Sequence, residues 1–206
     1  MNKLIAHRGY SLKYRDNSLE AIQAAIELGY NGVEIDVQPC KSGELCLHHD
    51  LYMGDKFIRE MSEDDLRRAD VCFLKDVIDI LKDIPVYLDI KGGPEAVVAF
   101  FKDRPHDNIT FCSFNRHFLR TLPSDMKKGT TFEMVPGGVY EYDMLTEGMN
   151  VVLVHWSCLN EEFLGYCRTK GIEVLTYTHK TIMDLRHICQ FQVDGIITNG
   201  VEEVVF

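Results

Sequence analysis

The sequence predicts an α/β protein built as a single (β/α)8 barrel, the TIM barrel, with a β-hairpin after its second strand. Short apolar segments typical of buried strands alternate with stretches of helical periodicity. Without the return strand of the hairpin, eight strands are predicted, and helix-length connections separate them. The chain has 206 residues, of which 46% are hydrophobic, so we expect residues 1–206 to form one domain around one core. An open doubly wound sheet is the alternative, although no glycine-rich nucleotide-binding loop follows the first strand.

The first strand–helix–strand unit indicates the direction of the sheet. An apolar run at residues 4–6 ends in His7, Arg8 and a glycine, as expected of a buried strand with polar residues at its tip. The Asn-Ser-Leu-Glu sequence that follows has the form of a capping box, with Asn17 as the N-cap and Glu20 reaching back to it. The order strand, helix, strand favours a parallel sheet.

The second strand carries two acidic residues on one face. Residues 33–37 alternate apolar and acidic side chains, so Glu34 and Asp36 project to the same side, about 7 Å apart along the strand. Neighbouring carboxylates repel each other unless a cation neutralises them, and a hard divalent metal ion suits oxygen ligands. The next connection is too short for a crossover helix. Residues 44–48 are therefore predicted to return antiparallel and to bring His49 toward the strand ends.

The remaining elements complete the barrel pattern. The strand at residues 86–91 places Asp89 and Lys91 on one face. Further strands are predicted at 109–113, 130–134, 151–155, 173–177 and 195–198, and further helices at 62–66, 75–82, 95–102, 116–122, 160–170 and 182–190. Residues 51–59 are predicted to be a loop, residues 137–147 a weakly patterned connection and residues 201–206 a short stub.

The net charge and the cysteine content restrict the predicted binding partners and the predicted cellular compartment. With 22 Lys and Arg against 32 Asp and Glu, the formal net charge of −10 disfavours nucleic acid and anionic membrane surfaces as partners. No signal-peptide pattern is present, and no apolar run reaches the roughly 18 residues of a membrane span. We therefore expect a cytoplasmic protein without stable membrane association. Seven scattered cysteines without a Cys-x-x-Cys motif indicate reduced thiols. Self-association into a homodimer is left open.

The C-terminal strand ends form the active-site face of a barrel. Six charged or titratable residues are predicted to meet on this face: His7, Arg8, Glu34, Asp36, Asp89 and Lys91. The three carboxylates are able to hold one Mg²⁺ or Ca²⁺ ion through oxygen, and the two cations supply positive charge to a phosphate. A pair of histidines is able to act as general acid and base. Metal, cations and imidazoles together favour phosphodiester cleavage over carbonyl chemistry.

An ordered set of short motifs resembles the signature of the glycerophosphodiester phosphodiesterase family nearly from end to end. The motifs are His7-Arg8-Gly9, Asp16-Asn17-Ser18, Gly32-Val33-Glu34-Ile35-Asp36-Val37, His49-Asp50, Asp89-Ile90-Lys91, Ser113-Phe114 and Val193-Asp194-Gly195-Ile196-Ile197-Thr198. Each motif alone is weak, but the ordered combination is specific. The resemblance implies a TIM barrel, one divalent metal ion (Mg²⁺ or Ca²⁺), and hydrolysis of a small-molecule glycerophosphodiester to glycerol 3-phosphate and an alcohol.

The resemblance also implies residue roles. The implied roles are His7 and His49 as the acid–base pair, Glu34, Asp36 and Asp89 as metal ligands, and Arg8 and Lys91 as phosphate-binding residues. Only one of the tandem histidines can face the site, because side chains alternate along a strand, and the resemblance aligns His49. A hydroxyl of the substrate glycerol is the implied first nucleophile, giving a cyclic phosphate that water then opens. Independently of the resemblance, Trp156 and Tyr177 at later strand ends are weaker candidates for lining the pocket.

Several positions depart from the family pattern. Asp89 stands where the family usually has Glu, so the third ligand is about one methylene shorter and reaches the metal either directly or through water. Related sphingomyelinase-D-type enzymes carry Asp there, which keeps a different substrate class open. The extra module common after the second histidine is nearly absent, and the closing Thr-Asp-x-Pro form becomes Thr198-Asn199-Gly200.

Two other functions stay open from the sequence. One is a phospholipase-D-like enzyme that acts on lysolipids or sphingomyelin. It would need an exposed apolar rim near the barrel mouth, and no amphipathic insert in the sequence supplies one. The other is a non-catalytic barrel that serves as a binding module, and the presence of both histidines and all three acids argues against it.

Overall fold

A computed structural model describes residues 2–135 and 137–200. Its strands are β1 (Lys3–His7), β2 (Gly32–Pro39), β3 (Leu45–Leu47), β4 (Tyr52–Met53), β5 (Lys56–Phe57), β6 (Val86–Ile90), β7 (Ile109–Ser113), β8 (Lys127–Phe132), β9 (Val151–His155), β10 (Glu173–His179) and β11 (Gly195–Thr198). Eight of them form a parallel sheet in the order β1, β2, β6, β7, β8, β9, β10, β11. β1 pairs with both β2 and β11, which closes the sheet into the predicted TIM barrel.

The helices follow the strands around the barrel. They are α1 (Leu19–Glu27), α2 (Glu63–Arg68), α3 (Leu74–Val77), α4 (Pro94–Phe101), α5 (Arg116–Thr121), α6 (Val139–Thr146), α7 (Glu161–Lys170) and α8 (Ile182–Ile188), with two single turns of 3₁₀ helix at Ile58–Glu60 and Trp156–Cys158. Apolar side chains on the outer face of the strands pack against them. Within residues 2–135 and 137–200, none of these helices has the length and apolarity that a bilayer span requires.

The predicted hairpin follows β2. This strand continues beyond its pairing with β6, and β3 returns antiparallel to it, with Val37 opposite Leu47. The segment after β3, predicted to be a loop, contains the small β4–β5 hairpin and the 3₁₀ turn at Ile58–Glu60. An antiparallel bridge joins Cys46 on β3 to Phe73, which directly precedes α3.

Several other boundaries differ from the prediction: α3 ends at Val77 instead of residue 82, and β10 continues to His179. Tertiary contacts decide two further differences. β8 begins at Lys127 instead of residue 130, because Lys127 pairs with Thr110 on β7 and its Nζ lies 3.4 Å from Glu173 Oε2. The weakly patterned connection contains helix α6, whose Tyr142 is buried against the ring of Phe163. The stub predicted for residues 201–206 lies outside the described residues.

Strand alternation builds the inside of the barrel in layers. Ile5, Leu153 and Ile197 belong to a buried apolar cluster formed by inward-facing side chains of successive strands. Inward-facing positions are two residues apart along a strand, so His7 lies inside the barrel above Ile5 and closer to the C-terminal face. An apolar layer therefore supports the layer of polar side chains at the strand ends.

Gly9 allows helix α1 to pack directly against the end of β1. Its φ of +77° lies in the left-handed region that favours glycine, and a Cβ at this position would lie 2.6 Å from the carbonyl carbon of Ala21 in α1. The close approach brings the start of α1 beside the ends of β1 and β2.

His179 makes the stability of this barrel sensitive to acid. Its side chain is buried at the end of β10, with Nε2 2.9 Å from Thr176 Oγ1, and burial lowers its pKa to about 4. The unfolded chain binds this proton near pH 6.5 and the folded chain only near pH 4, so stability is lost as pH falls between these values. We expect the wild-type protein to lose about 2 kcal/mol more than His179→Gln between pH 7 and pH 5 in urea titrations.

His117→Gln serves as the control because His117 is exposed. It should follow the pH dependence of the wild type. If His179→Gln also follows it, His179 is not the group responsible.

Candidate active site

The C-terminal ends of the strands enclose a cavity of about 140 Å³. All seven residues predicted to be catalytic, metal-binding or phosphate-binding line it: His7, Arg8, Glu34, Asp36, His49, Asp89 and Lys91. They come from β1, β2, β6 and the chain directly after β3, and the barrel closure makes these segments neighbours. The remaining wall includes Phe114, Thr131, Glu133 and Tyr177.

Glu34, Asp36 and Asp89 form a buried cluster of carboxylates. One oxygen from each lies within 4.8 Å of the others, and Asp36 is in register with Asp89 on the neighbouring strand. Oxygen ligands lie about 2.3–2.6 Å from a bound Ca²⁺ ion and about 2.0–2.1 Å from Mg²⁺, so oxygens this close together are able to contact one ion. Asp89 Oδ1 is buried and has no hydrogen-bond partner among residues 2–135 and 137–200. An all-oxygen cluster of this size, with one oxygen unpaired, fits a hard divalent cation.

Two cationic side chains partly neutralise these acids. Lys91 Nζ lies 2.6 Å from Asp89 Oδ2 and 3.0 Å from Asp36 Oδ1, and Arg8 Nε lies 3.1 Å from Asp36 Oδ2. Burial favours the protonated form of Asp36, but Lys91 and Arg8 outweigh it and hold the pKa of this carboxyl below its usual value. Glu34 lacks such close cations, so burial and the two neighbouring carboxylates raise its pKa well above the usual value.

His7 is held in one orientation by Asn199, at the end of the neighbouring β11. Its Nδ1 lies 2.6 Å from Asn199 Oδ1. An amide oxygen only accepts hydrogen bonds, so Nδ1 carries the proton and Nε2 is left as a lone-pair nitrogen facing the acids, 3.9 Å from Glu34 Oε2. Burial, with a further contribution from Arg8, lowers the pKa of His7 to about 4. The imidazole is neutral at physiological pH and able to accept a proton.

His49 approaches the cavity from the other side, on the chain that leaves β3. Its Nδ1 lies 2.8 Å from Asp50 Oδ1, and this hydrogen bond holds the pKa of Asp50 below its usual value. His48 lies in a separate cleft lined by Arg15 and Met53. Side-chain alternation therefore separates the tandem histidines, and it is His49 that lies beside the acids.

Asn17 differs from its predicted role. Ser18 is the N-cap of α1, because its Oγ accepts a hydrogen bond from the backbone N–H of Ala21. Asn17 instead adopts a φ of +57° and turns its buried amide toward Asp36. Its Nδ2 donates to Asp36 Oδ2 at 2.8 Å, and its Oδ1 accepts from the Asp36 backbone N–H at 3.0 Å. These two hydrogen bonds fix the carboxylate of the central acid.

The structure places only one of the two weaker pocket candidates, Tyr177 and Trp156, in the cavity wall. Tyr177 lines the cavity, and its ring is edge-on to Phe114 at 6.2 Å. Its buried hydroxyl has no hydrogen-bond partner within the described part of the chain. Trp156 does not line it, since the chain turns away from the cavity after β9. Its ring stacks on His155 at 5.5 Å and meets His187 edge-on at 5.4 Å. Trp156 therefore lies outside the set of side chains that line the cavity.

Four residues at or beside the cavity were not assigned a role from the sequence: Phe114, Thr131, Glu133 and Asn199. Phe114 follows Ser113 in a motif that the sequence resemblance includes, and Asn199 is one of the departures from the family pattern, so both positions carried some signal. Nothing local in the sequence distinguishes Thr131 or Glu133 from other polar residues at strand ends.

Comparison with known proteins agrees with this arrangement. A model of the glycerophosphoryl diester phosphodiesterase family matches residues 7–203. The chain belongs to this family. A glycerophosphodiester phosphodiesterase from Caldanaerobacter subterraneus subsp. tengcongensis is 25% identical, with 98% of this chain and 96% of the relative aligned. The glycerophosphodiester phosphodiesterase family is thus confirmed, and with it a phosphodiester hydrolase that acts on glycerophosphodiesters.

Solved structures of related proteins share the barrel. The crystal structure of glycerophosphodiester phosphodiesterase from Thermotoga maritima is 29% identical, with a TM-score of 0.84 over 97% of this chain and 95% of that one. A phosphodiesterase from Oleispira antarctica, solved with the product sn-glycerol-3-phosphate, has a TM-score of 0.85 at 21% identity, over 97% of this chain and 93% of that one. At that identity the likeness shows the fold.

The contacts of Asn17 predict that it positions an acid for metal binding. We expect Asn17→Ala to weaken Mg²⁺ and Ca²⁺ binding by about 10- to 100-fold, because Asp36 loses both hydrogen bonds that orient it. The measurement is a calorimetric metal titration of the purified variant. Ser18→Ala is the matched control. This substitution removes the N-cap hydrogen bond of α1, which costs about 1 kcal/mol of stability, and it should leave the metal affinity unchanged. Equal affinities for Asn17→Ala and the wild type would rule out the positioning role.

Proposed function

We propose that the protein hydrolyses a glycerophosphodiester to glycerol 3-phosphate and an alcohol in this cavity. The proposed roles are His7 and His49 as the acid–base pair, Glu34, Asp36 and Asp89 as ligands of one divalent metal ion, and Arg8 and Lys91 as phosphate-binding residues. The observation that carries the proposal is one cavity lined by all three kinds of group. Membership of the family supports the reaction class.

The charges of the site suit a phosphodiester. When the three acids and the two cations are all ionised, the net charge of the cluster is −1. A bound divalent cation would change this net charge to +1. A phosphodiester carries one negative charge, so the loaded site and its substrate are complementary. Either Mg²⁺ or Ca²⁺ fits the oxygen ligands, and the bound ion would stabilise negative charge that develops on the phosphoryl oxygens.

His7 is proposed as the base in the first step. Its Nε2 accepts the proton of the glycerol hydroxyl next to the phosphate ester, and the oxygen of that hydroxyl attacks phosphorus. His49 donates a proton to the departing alcohol oxygen as the P–O bond breaks. In the second step the roles reverse: His49 accepts a proton from water, the water oxygen opens the cyclic phosphate, and His7 returns its proton to the glycerol oxygen.

Asn199 and Asp50 support these roles as positioning residues. Asn199 accepts from Nδ1–H of His7, which keeps the proton-accepting nitrogen turned toward the cavity. Asp50 Oδ1 lies 2.8 Å from Nδ1 of His49, and this hydrogen bond orients the ring. In each of the two histidines, one ring nitrogen is therefore held by a neighbouring side chain, which leaves the other nitrogen for proton transfer.

The seven free cysteines support a cytoplasmic location, which we also propose. All seven are unpaired thiols, and four of them are buried: Cys40, Cys46, Cys112 and Cys167. Reduced cysteines are the rule in the cytosol, where disulfides rarely persist.

Substitution of either site histidine tests the acid–base assignment. We expect His7→Ala and His49→Ala each to lower kcat/KM for glycerophosphocholine by about 10²–10⁴-fold, because each removes a proton-transfer group. His48→Ala is the matched control, since His48 neighbours His49 in the chain but lies in a different cleft. Circular dichroism should show the same fold in all three variants. Full activity in either site variant would refute the assignment.

Metal removal tests the role of the carboxylates. We expect EDTA to abolish turnover and added Mg²⁺ or Ca²⁺ to restore it, with Asp89→Asn requiring a higher metal concentration for half-maximal activity. Initial rates measured against a series of free metal concentrations provide the check. Turnover that persists after exhaustive chelation would contradict the proposed metal site.

A further inference from the structure

The connection that carries His49 leaves the sheet at the end of β3. The ladder between β2 and β3 runs as far as the pair Val37 and Leu47. Residues 48–50 follow directly and lie outside the helices and strands. The N–H and C=O groups of such a segment need partners other than a strand ladder. The position of the His49 ring therefore depends on the contacts that hold residues 48–50.

The side chain of Gln38 supplies two of these contacts. Its Nε2 lies 2.8 Å from the carbonyl oxygen of His48 and 2.7 Å from the carbonyl oxygen of Asp50. An amide nitrogen carries two N–H groups, so this single side chain donates one hydrogen bond to each carbonyl. The two carbonyls belong to the residues on either side of His49. Gln38 therefore fixes the backbone both before and after this histidine.

Gln38 lies on the face of β2 that carries two of the proposed metal ligands. Side chains two residues apart along a strand project to the same side, and Gln38 continues the series of Glu34 and Asp36. Gln38 is only 3% exposed, and a buried amide is costly unless its hydrogen bonds are made. One face of one strand thus holds two acids and the side chain that contacts the segment around His49.

The backbone of Gln38 is itself well anchored. Gln38 is paired with Cys46 in the ladder of β2 and β3, and the Cys46 thiol donates to the Gln38 carbonyl oxygen at 3.3 Å. The carbonyl of the preceding residue, Val37, accepts a hydrogen bond from the backbone N–H of Lys91 at 2.9 Å. A group on a strand that is paired on both sides is a more precise support than a group on a loop.

We propose that Gln38 is a positioning residue that holds His49 in the orientation required for proton transfer. This inference rests on the proposed function, in which His49 donates a proton to the departing alcohol. Asp50 orients the imidazole ring through Nδ1, whereas Gln38 fixes the backbone from which the ring projects. The donor has to lie within hydrogen-bond reach of the alcohol oxygen, and a displacement of about 1 Å can cost roughly 10²-fold in rate.

The competing explanation is that Gln38 only stabilises the fold by satisfying two carbonyls. Asn108 makes this kind of contact elsewhere in the barrel. Its Nδ2 donates to the carbonyl oxygens of Leu81 and Ile84 at 2.8 and 2.7 Å, next to the N-terminal end of β7. Asn108 has nearly the same hydrogen-bond geometry as Gln38, but it holds a segment at the opposite end of the barrel from the cavity. It is therefore the matched control.

The test compares two substrates that differ in their need for a proton donor. The choline oxygen of glycerophosphocholine needs a proton as it departs, whereas p-nitrophenolate leaves as a stable anion. kcat/KM is measured for glycerophosphocholine and for the p-nitrophenyl ester of glycerol 3-phosphate from the release of choline and of p-nitrophenolate. We expect Gln38→Met to lower kcat/KM for glycerophosphocholine by about 10²-fold and to leave kcat/KM for the aryl ester nearly unchanged.

A second variant separates the lost hydrogen bonds from the change in side chain. Gln38→Glu keeps the size of the side chain, but an ionised carboxylate accepts hydrogen bonds and donates none. It should show the same selective loss on glycerophosphocholine. If Gln38→Met fails to fold, Gln38→Glu carries the same test.

Other variants show whether Gln38 acts through His49. His49→Ala should show the same dependence on the leaving group, and Gln38→Met should cause no further loss in the His49→Ala background. Asn108→Leu should lower the melting temperature, as Gln38→Met does, and leave kcat/KM for both substrates unchanged. In a calorimetric titration, Gln38→Met should bind Mg²⁺ with the affinity of the wild type, because Asn17 fixes Asp36.

The outcomes distinguish this inference from the proposed function. Equal losses on both substrates in the Gln38 variants, or a further loss in the His49→Ala background, would assign Gln38 a purely structural role and overturn the inference. Unchanged kcat/KM for glycerophosphocholine in Gln38→Met would overturn it as well. In each case a selective loss in His49→Ala leaves the proposed function standing. If His49→Ala itself affects both substrates equally, the proposed role of His49 as the proton donor is overturned.

Discussion

The burial of three carboxylates at one point of the barrel is the constraint on which the rest of the site depends. Glu34, Asp36 and Asp89 are taken out of water at the ends of two neighbouring strands, where their mutual repulsion is poorly screened. Such an arrangement is stable only with countercharge. Lys91 and Arg8 supply part of it from within the chain, and a divalent cation is suited to supply the remainder.

The two halves of the barrel mouth divide the work of binding a phosphodiester. β1, β2 and β6 carry the acids, the cations and His7, with Asn17 and Asn199 holding individual side chains in place. The neighbouring half, at the ends of β7, β8 and β10, carries the aromatic side chains of Phe114 and Tyr177 in edge-on contact, together with Thr131 and Glu133. In the proposed function, the first half binds charge and transfers protons, and the second half contacts the substituents of the phosphate.

Sequence reasoning failed where a residue's partner lies elsewhere in the fold. Asn17 reads as a helix cap because it precedes an apolar helical pattern, yet its amide binds Asp36 in the next strand and Ser18 takes over the cap. Trp156 follows a strand end, as active-site residues do, but a 3₁₀ turn carries its ring away from the cavity. The helix at Val139–Thr146 has almost no apolar periodicity and is held by packing against α7.

The sequence by itself determined which side chains share a face. Period-two alternation placed Glu34 with Asp36 and Asp89 with Lys91, and the short connection after β2 required the return that delivers His49. Only the tertiary structure decided which faces meet. Closure of β11 onto β1 brings Asn199 to His7, and the adjacency of β7 and β8 places Phe114 and Thr131 in one cavity wall. Local periodicity encodes the direction of a side chain, whereas its neighbours depend on register between strands that are distant in the chain.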